Sequence, residues 1–282
     1  MERILAARPS NHKSRAGKTR TALCHNRSHM TASTTAPALS FNGVHKSYAR
    51  AASPALSAFT LTVNAGECHG LVGANGAGKT TLIKCLLDFC EPDAGAIGIF
   101  GVPHRLTASR ARLAYLPERF NPPHYLSGRD FLRFMARMHR GAYDEGAAVA
   151  MAQALDLDTA ALNKPVRAYS KGMNQKLGLA ACLLSRKDLF ILDEPTSGLD
   201  PRARILLKRK LKTLREHGKT IFFTSHALAD VEEMCDRVAV IDGGQLKFTG
   251  TPADLIRAQN AANMEQAFMA LTAIEPTSER AS

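Results

Sequence analysis

The chain contains no stretch of about 20 apolar residues, the length a helix needs to cross a bilayer. Its longest uncharged, mainly apolar run near the middle is Leu177 to Ser185, so it is expected to span no membrane by itself. Any Cys-x-x-Cys pair is also missing: Cys24, Cys68, Cys85, Cys90, Cys182 and Cys235 form no regular ladder. That argues against a disulfide-stapled mini-domain and a zinc site, and points to a reducing compartment. Acids are scarce in residues 1–29, where seven Lys or Arg face only Glu2. Half of the net charge of +12 therefore sits there. The remainder keeps a mild positive balance that suits anionic ligands or a membrane surface without calling for nucleic acid.

What is present suffices for a sizeable core, since 45% of the 282 residues are apolar. Residues 1–38 are basic, rich in Ser, Thr and His, and show no helical or strand period. They read as a disordered leader, with a start at Met30 or a transit function as alternatives. Residues 39–258 are expected to form the globular domain, and 259–282 a C-terminal helix with a mobile tail.

Phe41–Lys46, Ala58–Val63 and Cys68–Val72 read as short strands, 79–89 as a helix, and Ile97–Phe100 as a strand after the turn-rich 91–95. A helical subdomain of about 120–185 interrupts the pattern. Its first helix opens with Ser127-x-x-Asp130, carries Phe131, Phe134, Met135 and Met138 on one face, and is expected to stop at a Gly141 cap. Strands then alternate with helices again: Leu189–Leu192, helix 201–217 with Asp200 as cap and Pro201 at its first position, Ile221–Thr224, a helix near 228–235, and Val238–Ile241. The Asp242-Gly-Gly244 turn closes a hairpin. This alternation implies an α/β fold built on a mostly parallel sheet.

Three segments carry chemistry. Gly73-Ala-Asn75-Gly76-Ala77-Gly78-Lys79-Thr80 matches G-x-x-x-x-G-K-[ST], follows an apolar strand and opens a helix. Its glycines let backbone N–H groups wrap phosphate oxygens, and the helix terminus adds partial positive charge. Lys79 would neutralise β/γ-phosphates and the Thr80 hydroxyl would hold Mg²⁺. Asp193 and Glu194 end a buried strand, on the side where parallel sheets bind ligands. Asp193 suits a Mg²⁺ contact, and Glu194 could orient and deprotonate a water. Ser170-Lys171-Gly172-Met173 opens another helix and makes a second phosphate-ready terminus. Two such termini beside one nucleotide loop suggest two copies closing on each other's nucleotide.

Taken together, the motifs over roughly 41–255 resemble the ATPase subunits of ATP-binding cassette (ABC) transporters. The resemblance implies a P-loop NTPase core with an antiparallel β edge and an inserted helical subdomain that bears the signature. It implies that Gly73–Thr81 bind nucleotide, that Tyr48 stacks on adenine, and that Lys79, Glu194 and His226 serve catalysis, His226 by sensing the γ-phosphate. Thr80, Asp193 and Glu118 would hold Mg²⁺, and Asp200 would lie on a loop that communicates across the dimer. ATP and Mg²⁺ are the implied cofactors; an integral-membrane permease and a second copy of the chain are the implied partners, with no nucleic acid. Such a subunit works peripherally on the cytoplasmic face of the membrane. Tyr169-Ser-Lys171-Gly-Met173 departs from the usual L-S-G-G-Q and is similar to the export-type subfamily. Glu118 stands where Gln is common, and 120–126 falls where the permease would dock. The alternative is a soluble ABC-type ATPase acting on nucleic acid or ribosomes.

Overall fold

The computed structural model describes residues 36–49 and 51–272. Most of the basic leader, the Met30 start and the polar tail lie outside the described residues. Among the described residues no helix is long and apolar enough to cross a membrane.

Two sheets organise the chain. An antiparallel sheet in the order β2-β1-β4-β5 is formed by β1 (Leu39–Lys46), β2 (Leu56–Val63), β4 (Ala94–Ile99) and β5 (Val102–Pro103). The larger sheet runs β10-β9-β3-β8-β7-β6. Its strands are β3 (Cys68–Val72), β6 (Leu113–Leu116), β7 (Leu189–Asp193), β8 (Thr220–Ser225), β9 (Arg237–Asp242) and β10 (Gln245–Gly250). Every pairing in it is parallel except β9 with β10. Parallel strands are covered on both faces, which is why Leu189–Asp193 is apolar up to its last residue and fully buried.

Alternation along each strand divides the core. Leu71, Ile191, Phe222 and Ile241 face helix α1 (Lys79–Leu86) and the antiparallel sheet. Val72, Leu192, Phe223 and Val240 face the remaining helices. Phe41 joins the sheets, with ring centroids 5.9 Å from Phe59 and 6.4 Å from Phe222.

Between β6 and β7 the chain forms α2 (Gly128–Met138), α3 (Glu145–Ala154) and α4 (Lys171–Leu184). Ser127 caps α2 by accepting from the Asp130 N–H. The expected apolar face is corrected here: Phe131 and Leu132 are buried, whereas Phe134 and Met138 point outward. The inward stripe is rotated because Leu132, between the assigned positions, takes the core contact. The cap is corrected as well. Helix α2 ends at Met138, and Arg140, not Gly141, takes the left-handed conformation (φ 58°). Gly141 N–H donates to the Ala136 carbonyl and Arg140 N–H to that of Arg137, which makes a Schellman turn with an arginine where glycine is favoured.

Helix α5 (Pro201–Glu216) starts on the Asp200 cap, buries Ala203, Leu207 and Leu211, and ends in a similar turn with Gly218 at φ 73°. After α6 (Leu228–Met234) and the β9–β10 hairpin come two helices, α7 (Pro252–Ala258) and α8 (Met264–Thr272). The break falls at Asn260 (φ 49°), and Met264 and Ala267 return α8 to the core.

Arg140→Gly is expected to raise stability by roughly 0.5–1 kcal/mol, because glycine removes the left-handed penalty at some entropic cost. Gly218→Ala should lower it comparably. Denaturant midpoints check both; no gain from the first would contradict the cap assignment.

Candidate functional site

The carboxyl ends of β3, β7 and β8 meet at one edge of the parallel sheet. The loop after β3 wraps there because its backbone comes very close to neighbouring chain. A Cβ at Gly73 would collide with the Ile241 carbonyl, and one at Gly78 would sit 2.5 Å from the Ala55 carbonyl. Gly78 also needs φ 112°. Gly76 (φ 84°) has open space around it, and Ala74, Asn75 and Gly76 are exposed along the loop. Ala77 is buried beneath the loop and accepts from the Gly244 N–H at 3.0 Å, tying it to the β9–β10 turn.

Helix α1 starts at this loop with no side-chain cap and no acid in its first turn. Its N-terminal N–H groups are thus left for an anion. Lys79 is buried and folds back, its Nζ donating to the carbonyls of Gly73 (2.6 Å) and Ala74 (3.2 Å). Burial lowers its pKa, while Glu194, Asp193 and Glu118 oppose that shift.

Opposite the loop stand the carboxylates. The Thr224 hydroxyl joins them: it donates to Asp193 Oδ1 at 2.6 Å and accepts from the Glu194 N–H at 3.0 Å. Glu194 holds φ 49°, a strained conformation of the kind stored at functional sites. Its Oε2 lies 2.8 Å from His226 Nδ1. Burial raises the Asp193 pKa, helped by Glu118 and Glu194 and opposed by Thr224 and Lys79.

One open cleft of about 400 Å³ is lined by Gly73, Asn75, Gly76, Gly78, Lys79, Thr80, Thr81, Glu118, Asp193, Glu194 and His226, with Ala55 and Ser197 at its border. The uncapped N–H groups and Lys79 fit a polyphosphate. The Thr80 hydroxyl and the carboxylates across the cleft are hard oxygen donors that fit a divalent cation. Among the described residues no three His, Cys, Asp or Glu side chains form a metal cage of their own.

The structure does not bring the other candidates into this cleft. Tyr48 stands nearby, 43% exposed, with its hydroxyl 3.9 Å from Cys90 Sγ. Ser170 caps α4 by accepting from the Met173 N–H at 3.2 Å. Lys171 lies over Gly198 and lines an adjoining groove that meets the cleft at Glu118 and Ser197, while Gly172 approaches the Gly198 carbonyl. Asp200 accepts from Ala203 N–H and from Lys176 within its own chain. Thr224 was given no role by motif reading. Its position at the end of a buried strand beside β7, two residues before His226, is the signal that could have found it.

Ionised Asp193 costs the fold stability. Its carboxyl holds a proton more tightly when folded than the ordinary value of 3.8, so stability falls as pH rises from that value through the raised folded one. Asp193→Asn keeps an acceptor for Thr224 and is expected to raise the Tm of the nucleotide-free protein at neutral pH; an unchanged or lower Tm would contradict this.

Comparison with known proteins follows the same geometry. Residues 56–197 match the ABC transporter family model. The chain is 39% identical over 217 residues to an uncharacterised ABC transporter ATP-binding protein of Nostoc, covering 74% of this chain and 64% of that protein. It spans 58% of the length of a similar Synechocystis protein. It is 37% identical to a Nod factor export ATP-binding protein I of Rhizobium etli, covering 78% and 70% of the two chains. A solved structure of an ATP-binding subunit of an ABC transporter superposes with a TM-score of 0.75 at 29% identity, covering 83% of this chain and 98% of that one. The phosphate loop, the carboxylate pair and the sheet that positions them thus occur in a chain that belongs to the ATP-binding proteins of the ABC transporter family.

Proposed function

We propose that this chain is the ATP-binding and hydrolysing subunit that energises a separate integral-membrane permease, and that it works as a nucleotide-sandwich dimer on the cytoplasmic face of the membrane. The observation that carries the reading is a separation. The Lys79 cleft and the Ser170 helix terminus both suit phosphate, yet they do not share a cleft in one chain. A second copy, turned to present Ser170–Met173 to the first copy's cleft, uses both. In this reading residues 39–258 form the ATPase domain, with the signature on the helical subdomain of about 120–185, and Asp200 communicates between copies.

The chain's residues have distinct tasks. The loop 73–78 and the start of α1 hold phosphates through backbone N–H groups. Lys79 leaves its loop carbonyls to meet them. Tyr48, at the margin, stacks on the base. Thr80 and Asp193 would hold Mg²⁺, with Glu118 reaching it through an oxygen; when bound, the ion offsets charge on the phosphates. Thr224 holds the Asp193 carboxylate and the Glu194 backbone N–H, and His226 orients Glu194, which takes a proton from the attacking water. Ser170 and Gly172 of the second copy supply donors available only on closure, with Lys171 adding positive charge. Swinging such a pair from 1:99 to 99:1 closed needs about 5.5 kcal/mol of differential binding.

Export is supported by the name borne by the Nod factor relatives. A docking face for the permease is supported by Tyr125, 83% exposed, beside outward-facing Phe134.

Glu194→Gln is expected to keep ATP affinity, lose roughly 10²-fold or more of turnover, and accumulate ATP-dependent dimers in sedimentation. Near-normal turnover would remove Glu194 as the base. Lys79→Ala should weaken nucleotide binding and abolish turnover.

A further inference from the structure

Two thiols beside the nucleotide cleft serve no purpose in the mechanism above. Helix α1 ends in a left-handed Asp88 (φ 64°), where Asp88 N–H donates to the Cys85 carbonyl and Phe89 N–H to that of Lys84. This Schellman reversal sends the chain back along the helix. Cys90 N–H also reaches the Lys84 carbonyl, and Cys90 Sγ comes to rest 3.4 Å from Cys85 Sγ. The pairing is thus set by backbone hydrogen bonds.

Cys85 is buried, whereas Cys90 is partly open to solvent. The Lys46 ammonium bears on both sulfurs and lies 5.8 Å from the Tyr48 ring centroid. Asp93 Oδ1 pairs with that ammonium at 2.7 Å. Cys90 Sγ also lies against the Tyr48 hydroxyl, at 3.9 Å, with the Thr81 side chain as that hydroxyl's other neighbour.

We infer that Cys85 and Cys90 form a peroxide-oxidisable dithiol that turns down nucleotide binding by withdrawing Cys90 from Tyr48. The Cys90 thiolate attacks one oxygen of a hydroperoxide; the O–O bond breaks, a proton is taken up, and water (or an alcohol) leaves behind a sulfenic acid. The Cys85 sulfur then attacks the Cys90 sulfur and a second water leaves, so two thiols are oxidised as one peroxide is reduced. Cys90 is partly open to solvent and Cys85 is buried, which assigns the first step to Cys90 and the resolving step to Cys85. Closing the gap from 3.4 Å to the disulfide length of about 2 Å draws Cys90 from its place against Tyr48. A dithiol reductant reverses the link.

The disulfide itself depends only on the thiol geometry; its effect on affinity rests on Tyr48 meeting the base. Cys68 and Cys235 provide an internal comparison. They lie toward the opposite end of β3; Cys68 is buried, and Cys235, partly open like Cys90, is held well above the ordinary thiol range by desolvation beside Cys68, so this pair is expected to oxidise later.

The test treats the full chain with hydrogen peroxide, alkylates remaining thiols and maps peptides. Cys85 and Cys90 share the tryptic peptide 85–105, so the link reads as loss of two hydrogens with neither sulfur alkylated. Expected are that product, a dimedone adduct on Cys90 in Cys85→Ser, and roughly fivefold or greater weakening of a fluorescent ATP analogue, the scale of one lost aromatic–base stack. Dithiothreitol restores affinity, and Cys90→Ser shows no loss on oxidation. A fully alkylated 85–105 peptide under conditions that oxidise other cysteines overturns the inference. With Tyr48→Ala measured in parallel, a link that leaves affinity unchanged overturns the regulatory claim if that variant weakens binding. If Tyr48→Ala binds normally, the link upholds the dithiol and it is the Tyr48 reading that fails.

Discussion

Backbone against backbone at Gly73 and Gly78 is the constraint on which the rest of the site depends. The Ile241 and Ala55 carbonyls stand where side chains would begin, so the loop can lie tight against β9 and the β2 approach only without them. That closeness sets the direction of α1 and leaves its N–H groups uncapped. It also fixes Lys79 across the sheet edge from Asp193 and Glu194. Parallel strands do the remaining positioning, since β3, β7 and β8 all point their carboxyl ends to the same side.

The site is assembled against local preference. Lys79 is buried and its ammonium form penalised by burial; Asp193 is buried with two other carboxylates bearing on it; Glu194 is held in a left-handed conformation. One threonine offsets part of this, because the Thr224 hydroxyl serves both carboxylate residues at once. A triphosphate with a divalent cation would ease the two electrostatic tensions, giving Lys79 anions and the carboxylates a counter-charge. The same feature that costs the empty protein stability therefore prepares it for its ligand. An open cleft that the chain's own Ser170–Met173 do not line is the basis for extending that logic, as a proposal, to a partner copy.

Much of the fold was legible because buried parallel strands leave plain signals. Leu189–Leu192 reads as a strand from its uninterrupted apolar run, and Asp200-Pro201 marks a helix start that the structure reproduces. The phosphate loop needs glycine at fixed positions, so its spacing survives in the letters. Where several residues could satisfy the same local rule, reading went astray. On α2 an apolar stripe through Phe134 and Met138 fits helical spacing as well as one through Leu132, and only tertiary packing decides between them. Gly141 drew the cap to itself, although Arg140 tolerates the left-handed turn. Thr224 was illegible as a site residue because its two hydrogen bonds depend on register with β7. Tyr48 acquired meaning only through family resemblance, since an exposed tyrosine in a loop carries no chemistry of its own.

The central claim is that the functional ATP site is completed by two chains. The most direct measurement is the rate of ATP hydrolysis per chain as chain concentration is varied across the range where sedimentation detects association. The account predicts that the rate per chain rises with concentration and levels off as dimers saturate. A constant rate per chain, with efficient turnover by a strictly monomeric species, would contradict it.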